Sequence, residues 1–354
     1  MNVIATRRYS ASMRGSTSAA RVGRLVDRRP SVSPERLIAQ LRPPPTFAEV
    51  SFATYRPDPA HPSQAAAVAS CQNFCRQAVQ RRAGRRRFFG KPAVLPGVGL
   101  YLDGGFGVGK THLLASSYYF LPAERPKAFA TFGELTQLAG VFGFVECIDL
   151  LANYTAVCID EFELDDPGNT TLISRLLAAL VERGVSVAAT SNTLPEQLGE
   201  GRFAAQDFLR EIHTLAAIFT TVRIEGPDYR HRNLPPAPPP LSDDEVAARA
   251  AAVPGATLDD FDALCAHLAT MHPSRYLTLV EGVTGVFLTG VHAIDDQNVA
   301  LRLVALTDRL YDAGILVVAS GAKLDTIFSD EMLAGGYRKK YLRATSRLLA
   351  LTSY

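Results

Sequence analysis

An eight-residue glycine-rich segment limits what this chain can fold into more than any other part of the sequence. It consists of Gly104, Gly105, Phe106, Gly107, Val108, Gly109, Lys110 and Thr111. The segment fits the pattern Gly-x4-Gly-Lys-Ser/Thr at every fixed position. Its glycines let backbone N–H groups turn inward around an anion, with no Cβ in the way. We therefore predict a loop that binds the phosphates of ATP, with Lys110 on the β- and γ-phosphates and the Thr111 hydroxyl on Mg²⁺.

The sequence on both sides of this loop is what a phosphate-binding loop requires. The apolar run 98–102 precedes it and is bounded by proline and glycine, which predicts a short buried strand. Residues 110–120 have the pattern of a helix, whose positive N-terminal end would lie beneath the phosphates. The strand–loop–helix order favours a phosphate site over a glycine-rich surface turn, which is the alternative for the motif alone.

Two acids follow a second apolar run, 154–159, which predicts another buried strand. An acid at the end of a buried parallel strand is costly unless it has a partner. We expect Asp160 to hold Mg²⁺, directly or through water, and Glu161 to orient and deprotonate the attacking water as a general base. The alternative is that both acids only end the strand.

A third predicted strand, 185–190, leads into Ser191 and Asn192. Ligands of open α/β sheets gather at the carboxyl ends of the strands. The Asn192 amide could contact the γ-phosphate and the attacking water there, or it could belong to a turn. The spacing alone leaves both roles open.

Strands that alternate with helices predict an α/β fold with a mostly parallel sheet and flanking helices. With the phosphate loop, this is the architecture of a P-loop nucleoside triphosphatase, and a smaller α/β region follows it. We predict a basic disordered head over 1–42 that becomes ordered near Ser33, an ATPase domain over 43–232, a Pro-rich linker over 233–241 and a C-terminal α/β region over 242–354. Within that last region we expect helices over 258–270 and a closing basic helix near 338–350.

The basic head has two further interpretations. Its first 35 residues are rich in arginine and serine and contain only two acids, Asp27 and Glu35. Such a composition is typical of a disordered arm, and it also arises when a start site is assigned too early. A mitochondrial transit peptide is the alternative, although no convincing amphipathic run supports it.

The overall composition is that of a globular protein. Of 354 residues, 47% are hydrophobic and 20% are charged. The net charge of +2 argues neither for nor against a nucleic-acid partner. No segment reaches about 18 uninterrupted apolar residues, so we predict no membrane span. Five scattered cysteines do not form a disulfide framework, and we interpret them as reduced thiols of a cytoplasmic protein.

Four segments together resemble the AFG1-like ATPase family. They are 99–111, with the phosphate loop; 158–166, with Asp-Glu-Phe after the strand; 182–192, ending in Ser-Asn; and 228–232, Asp-Tyr-Arg-His-Arg. The resemblance runs from about Pro57 to Arg232 and continues more weakly to the C-terminus. It implies an AAA+-type ATP hydrolase that works as a homo-oligomer, and it implies that Asn192 senses the γ-phosphate.

The resemblance also implies partners. Bacterial members of the family are linked to the division ring and its tubulin-like protein FtsZ, so a cell-division ATPase is the first expectation. Mitochondrial members are linked to inner-membrane protein quality control, so an adaptor or chaperone ATPase is the alternative. The short apolar stretch 126–151 is similar to the actinobacterial branch, which favours a bacterial cytoplasm.

The arginines of the sequence leave two questions open. The family's arginine-bearing segment reads Gly-Arg-Phe-Ala-Ala-Gln-Asp-Phe-Leu over 201–209, so Arg202 and Arg210 are the candidates for an arginine that acts on a neighbouring subunit. The basic cluster 81–87 raises a second alternative, a nucleic-acid-linked ATPase of the helicase-loader type. We favour a solvated arginine-rich loop, and hence no nucleic-acid partner.

Overall fold

The computed structural model of the chain describes residues 22–31, 33–83, 95–162, 167–195, 198, 209–227 and 238–352. These residues form two α/β units, one around a five-stranded sheet and one around a three-stranded sheet. Both sheets are parallel throughout the described pairings. The predicted fold class is therefore confirmed.

The first sheet carries the phosphate loop. Its strands are β1 (Gly99–Gly104), β2 (Lys127–Thr131), β3 (Ala156–Asp160), β4 (Ser186–Ser191) and β5 (Phe219–Ile224). Their order is β2-β3-β4-β1-β5, so β1 lies in the interior of the sheet, between β4 and β5. All residues of β3 and β4 are buried, as expected for strands that are covered on both faces. The carboxyl ends of β3, β4 and β1 consequently lie side by side.

Helices cover both faces of this sheet. They are α1 (Pro34–Ala39), α2 (Pro62–Ala83), α3 (Lys110–Phe120), α4 (Phe132–Phe142), α5 (Phe144–Leu151), α6 (Pro167–Glu182) and α7 (Leu209–Ile218). Alternate residues of each strand point to opposite faces, so Leu100 and Leu102 pack in the core beneath α2 and α3 while Tyr101 packs on the other side. Among all helices in the described part of the chain, none is both long and apolar enough to cross a bilayer.

The second unit repeats the same construction on a smaller scale. Its strands are β6 (Ala256–Asp260), β7 (Gly285–Val291) and β8 (Leu316–Gly321), in that order across the sheet. Its helices are α8 (Asp243–Ala252), α9 (Phe261–Ala269), α10 (Tyr276–Leu279), α11 (Gln297–Ala313), α12 (Asp330–Ala334) and α13 (Arg338–Leu351). A separate hydrophobic core fills this unit.

The extent of the predicted disordered head is wrong. Residues 1–21 lie outside the described part, but those from 22 onwards are ordered, apart from position 32, which is not described. Leu25 is fully buried in the core of the second unit, and its N–H donates to Asp259 Oδ2 at 2.9 Å. Gly23 pairs in parallel with Thr257. The arginine-rich composition does not indicate that this segment packs against, and hydrogen-bonds to, residues more than 230 positions away in the sequence.

The predicted linker also ends earlier than its composition suggested. Residues 233–237 lie outside the described part, and 238–240 are exposed without regular structure. Leu241 already belongs to the second unit, because its N–H donates to Ala319 O at 3.4 Å and it forms an isolated bridge with Ser320.

Candidate active site

The glycine-rich loop connects β1 to α3 and has the backbone geometry of a phosphate cradle. Gly104, Gly107 and Gly109 have φ of +155°, +67° and +88°, which L side chains rarely adopt. Gly109 is doubly constrained, since a Cβ there would lie 2.5 Å from the Cε2 atom of Tyr55. Tyr55 in turn donates its hydroxyl proton to Val108 O at 2.8 Å. The cradle therefore depends on glycine and on a tyrosine that precedes it by about 50 residues.

A Gly109→Ala substitution is expected to lower the free energy of unfolding by about 2 kcal/mol, because it combines a left-handed backbone with a contact that Tyr55 must yield to. Urea unfolding measures this loss. Gly105→Ala is the matched control in the same loop, since a Cβ at position 105 meets nothing within 4 Å. Equal stability of the two variants would contradict the constraint at Gly109.

Lys110 begins α3 and is almost fully buried at the base of the loop. Its Nζ donates to Gly104 O at 2.9 Å, to Gly105 O at 2.6 Å and to Asn192 Oδ1 at 2.8 Å. Asn192 comes this close because β1 and β4 pair in parallel, with Asp103 opposite Ser191. The structure thus brings the predicted sensor to the predicted phosphate lysine across 82 residues of sequence.

Asp160 lies at the carboxyl end of β3, within reach of α3. Thr111 Oγ1 donates to Asp160 Oδ1 at 3.1 Å, and Thr190 Oγ1 donates to the same oxygen at 2.5 Å. Burial, followed by the charge of Glu161, raises the pKa of the Asp160 carboxyl, against the lowering effect of the two hydroxyls and Arg347. A buried carboxylate of this kind is stabilised by a cation at its free lone pairs.

The residues around Asp160 fit a magnesium ion. Thr111 and Asp160 present hydroxyl and carboxylate oxygens, which Mg²⁺ prefers. Within the described ranges, no cluster of three or more His, Cys, Asp or Glu side chains could enclose a metal ion. At nucleotide sites, Mg²⁺ is held by one or two protein oxygens together with water and substrate phosphates.

Glu161 adopts a strained backbone conformation, with φ of +54°, the only positive φ at a non-glycine residue in the described part of the chain. Such a conformation costs about 1–3 kcal/mol and persists only where neighbours enforce it. The N–H of Glu161 donates to Thr190 Oγ1 at 3.1 Å, and that of Phe162 donates to Thr190 O at 2.7 Å. The fully buried Phe162 ring lies against Tyr101 and Phe132. The turn at Glu161 is therefore held on both sides.

This turn directs the Glu161 carboxylate towards α13 of the second unit. Glu161 Oε1 lies 3.2 Å from Arg343 Nη1 and 3.2 Å from Arg347 Nη2. Burial alone would raise the pKa of Glu161, but the two guanidinium groups, with Arg309 and Lys340, hold it at about 2. In this arrangement Glu161 is a firmly ionised ion-pair partner.

Arg343 and Arg347 are functional candidates that sequence reasoning missed. A cavity of about 170 Å³ at the loop is lined by both of them together with Lys110, Thr111, Glu161 and Asn192. Thr111, Asp160, Glu161 and Arg347 also line a neighbouring cleft of about 840 Å³ between the two units. The sequence predicted only a basic helix near 338–350. The signal that could have been used is the i, i+4 spacing of two arginines on one helix face.

Of the two arginines predicted to act on a neighbouring subunit, only Arg210 belongs to the described part of the chain, and it does not line the loop cavity. Arg202 lies outside the described residues, and Arg210 is exposed near the start of α7. In the basic cluster, Arg81 and Arg82 belong to the last turn of α2, and Arg82 donates to Arg183 O at 3.4 Å. The remainder of that cluster, 84–87, lies outside the described part. The arginines of the loop cavity thus come from the same chain.

Comparisons with known proteins identify a family and several relatives. The profile of the AFG1-like ATPase family matches residues 31–243 and 237–354. The cell division protein ZapE of Escherichia coli K12 is 29% identical over 296 residues, which cover 72% of this chain and 78% of that protein. Lactation elevated protein 1 homolog B of Danio rerio is 27% identical over 165 residues, or 40% of this chain and 32% of that protein.

Solved structures are also similar to part of the chain. Domain III of the Thermotoga maritima replication initiation protein DnaA is similar over 52% of this chain and 69% of its own, with 18% identity and a TM-score of 0.38. The DnaC helicase loader is similar over 51% of this chain and 99% of its own, with 17% identity and a TM-score of 0.36.

Proposed function

The chain belongs to the AFG1-like ATPase family, and from this premise we propose that it is a Mg²⁺-dependent ATP hydrolase that acts in bacterial cell division. The observation that carries the hydrolase proposal is the meeting of five side chains at the carboxyl edge of one parallel sheet. They are Lys110, Thr111, Asp160, Glu161 and Asn192. Each has the chemistry that phosphoryl transfer to water needs at that position.

The phosphates would be held by the loop and its lysine. The backbone N–H groups of the loop and the N-terminus of α3 attract negative charge, and Lys110 adds a full positive charge beside them. Thr111 and Asp160 would hold the metal ion. Mg²⁺, when bound, supplies shielding of the charge on the β- and γ-phosphate oxygens.

Glu161 is proposed to accept the proton of the attacking water. The water oxygen forms a bond to the γ-phosphorus, the bond from that phosphorus to the β–γ bridging oxygen breaks, and ADP leaves with the electron pair. Asn192 would orient the γ-phosphate and the water. A carboxylate with a pKa of about 2 is a weak base. Catalysis by Glu161 therefore requires that it exchange Arg343 and Arg347 for water.

The division role is supported by the similarity to a cell division protein that covers 72% of the chain. We propose that the protein works as a homo-oligomer in the cytoplasm and remodels a tubulin-like protein of the division ring. ATP-driven changes in the relation of the two α/β units would provide the mechanical step.

Trapping in the native cell tests this proposal. A Glu161→Gln protein should bind ATP without hydrolysing it and so retain its client. We expect cross-linking and purification to recover the tubulin-like division protein, and we expect a Lys110→Ala/Glu161→Gln control not to recover it, because it cannot hold ATP. Recovery of a membrane protease without division proteins would contradict the division role and favour the quality-control alternative.

A further inference from the structure

Cationic side chains of the second unit contact three neighbouring strand ends of the first sheet. At the end of β2, Arg309 Nη2 donates to Thr131 Oγ1 at 3.4 Å, and Arg309 Nη1 donates to Glu134 Oε1 in the following turn of α4 at 2.8 Å. At the end of β3, Arg343 and Arg347 bind Glu161, as described above. At the end of β4, Lys339 Nζ donates to Asn192 O at 3.1 Å. The second unit is therefore joined by charged contacts to the edge where the nucleotide phosphates would bind.

Asp308 of α11 fixes the two arginines that face Glu161. Arg343 Nη2 donates to Asp308 Oδ2 at 2.7 Å, and Arg347 Nη1 donates to Asp308 Oδ1. All three residues are more than nine-tenths buried. The Arg347 guanidinium also lies 5.1 Å from the centre of the Tyr311 ring. Each guanidinium thus has one anchored edge, on Asp308, and a second edge that contacts Glu161 and borders the loop cavity.

Before nucleotide binds, both arginines of this cluster are already paired with carboxylates. Two guanidinium groups face two carboxylates, Asp308 and Glu161. A bound triphosphate would add negative charge in the cavity that the two arginines line together with Lys110. Guanidinium groups bind phosphate oxygens through paired N–H donors, so a terminal phosphate competes directly with the Glu161 carboxylate. ADP lacks that phosphate and would compete less.

We propose that Arg343 and Arg347 distinguish ATP from ADP by exchanging Glu161 for the terminal phosphate while Asp308 keeps them in position. The inference rests on the proposed ATP hydrolase function and deepens it. The exchange releases the general base only when a γ-phosphate is present. It also makes the second unit respond to the nucleotide within one chain, with Asp308 as the positioning residue.

Nucleotide binding to the full-length chain tests the exchange without relying on turnover. Calorimetric titrations with Mg²⁺ would use ADP and the non-hydrolysable analogue AMPPNP. Arg343→Gln and Arg347→Gln are expected to bind AMPPNP roughly tenfold more weakly and ADP within about twofold of wild type, since each loses a charge-assisted contact. Glutamine keeps a donor for Asp308, and melting curves verify folding. Arg302→Gln is the matched control, because Arg302 lies on α11 and donates to Leu268 O and Met271 O, away from the cavity.

Glu161→Gln separates exchange from a simple phosphate contact. Removal of the competing carboxylate should make AMPPNP bind several-fold more tightly than to wild type, with ADP unchanged. If the arginine variants lose affinity for AMPPNP and for ADP to the same extent, the arginines have only a structural role and the inference is overturned. It is also overturned if the variants keep the wild-type preference for AMPPNP over ADP. If the arginine variants do not fold, the Glu161→Gln titration alone decides. Failure of wild type to bind either nucleotide would instead refute the proposed function.

Discussion

Replacement of Lys110 by alanine is expected to weaken ATP binding by about a hundredfold and to abolish turnover. The ammonium group is the cation at the base of the loop, and it already donates to Gly104 O, Gly105 O and Asn192 Oδ1. Two charge-assisted bonds to phosphate oxygens, at about 1.5 kcal/mol each, correspond to roughly a hundredfold in affinity. Calorimetric titration with ATP measures the loss.

Lys127→Ala is the matched control for this prediction. Lys127 is another partly buried lysine of the first unit, and its Nζ donates to Leu121 O at 2.6 Å. It does not line the loop cavity. We expect the control to bind ATP like wild type within about threefold. Equal affinities of the Lys110→Ala protein and the wild type would show that the glycine-rich loop is not the nucleotide site.

Glu161→Gln is expected to reduce ATP turnover by about a thousandfold and to leave ATP bound. The amide has nearly the same shape as the carboxylate, but it cannot accept the proton of water, and general base catalysis contributes about 10²–10⁴-fold. The cradle is formed by the loop backbone and by Lys110, which donates to Gly104 O, Gly105 O and Asn192 Oδ1, whereas the Glu161 carboxylate pairs with Arg343 and Arg347. Phosphate release and nucleotide titration on the same preparation separate the two effects.

Glu134→Gln supplies the control for the loss of a carboxylate at the sheet edge. Glu134 caps α4, because its side chain accepts from Thr131 N at 2.7 Å, and it pairs with Arg309. It does not line the loop cavity. We expect its turnover to stay within about threefold of wild type. A comparable loss of turnover in both glutamine variants would remove the special role of Glu161.

The first unit was largely predictable because its local patterns agree with its tertiary structure. Short apolar runs that end in glycine, in two acids or in Ser-Asn became β1, β3 and β4 respectively, and parallel pairing brought their polar ends together. The stretch that forms β2, α4 and α5 was not predicted. A nearly continuous apolar stretch is compatible with a buried strand and with a buried helix, so the periodicity of its apolar residues does not predict which of the two forms.

In one part of the second unit, local sequence patterns did not predict the structure correctly. The predicted helix over 258–270 contains the end of β6, and α9 begins only at Phe261. The Asp259 carboxylate in that strand accepts hydrogen bonds from the N–H groups of Leu25 and Val26. Residue spacing within 258–270 does not reveal this contact with the N-terminal segment. Likewise, Arg347 meets Glu161 across 186 residues. Only the packing of α11 against α13 turns a basic helix into part of the site.

The most direct test of the account is phosphate release from ATP by the purified wild-type chain, with Mg²⁺ and after its chelation, beside Glu161→Gln. Thr111, Asp160 and Glu161 together require that release depend on the metal and on the glutamate. We predict steady release with Mg²⁺, loss of release on chelation, and release about a thousandfold slower by Glu161→Gln, although that variant still binds ATP. Equal release by wild type and Glu161→Gln, or release that persists without a divalent ion, would contradict it.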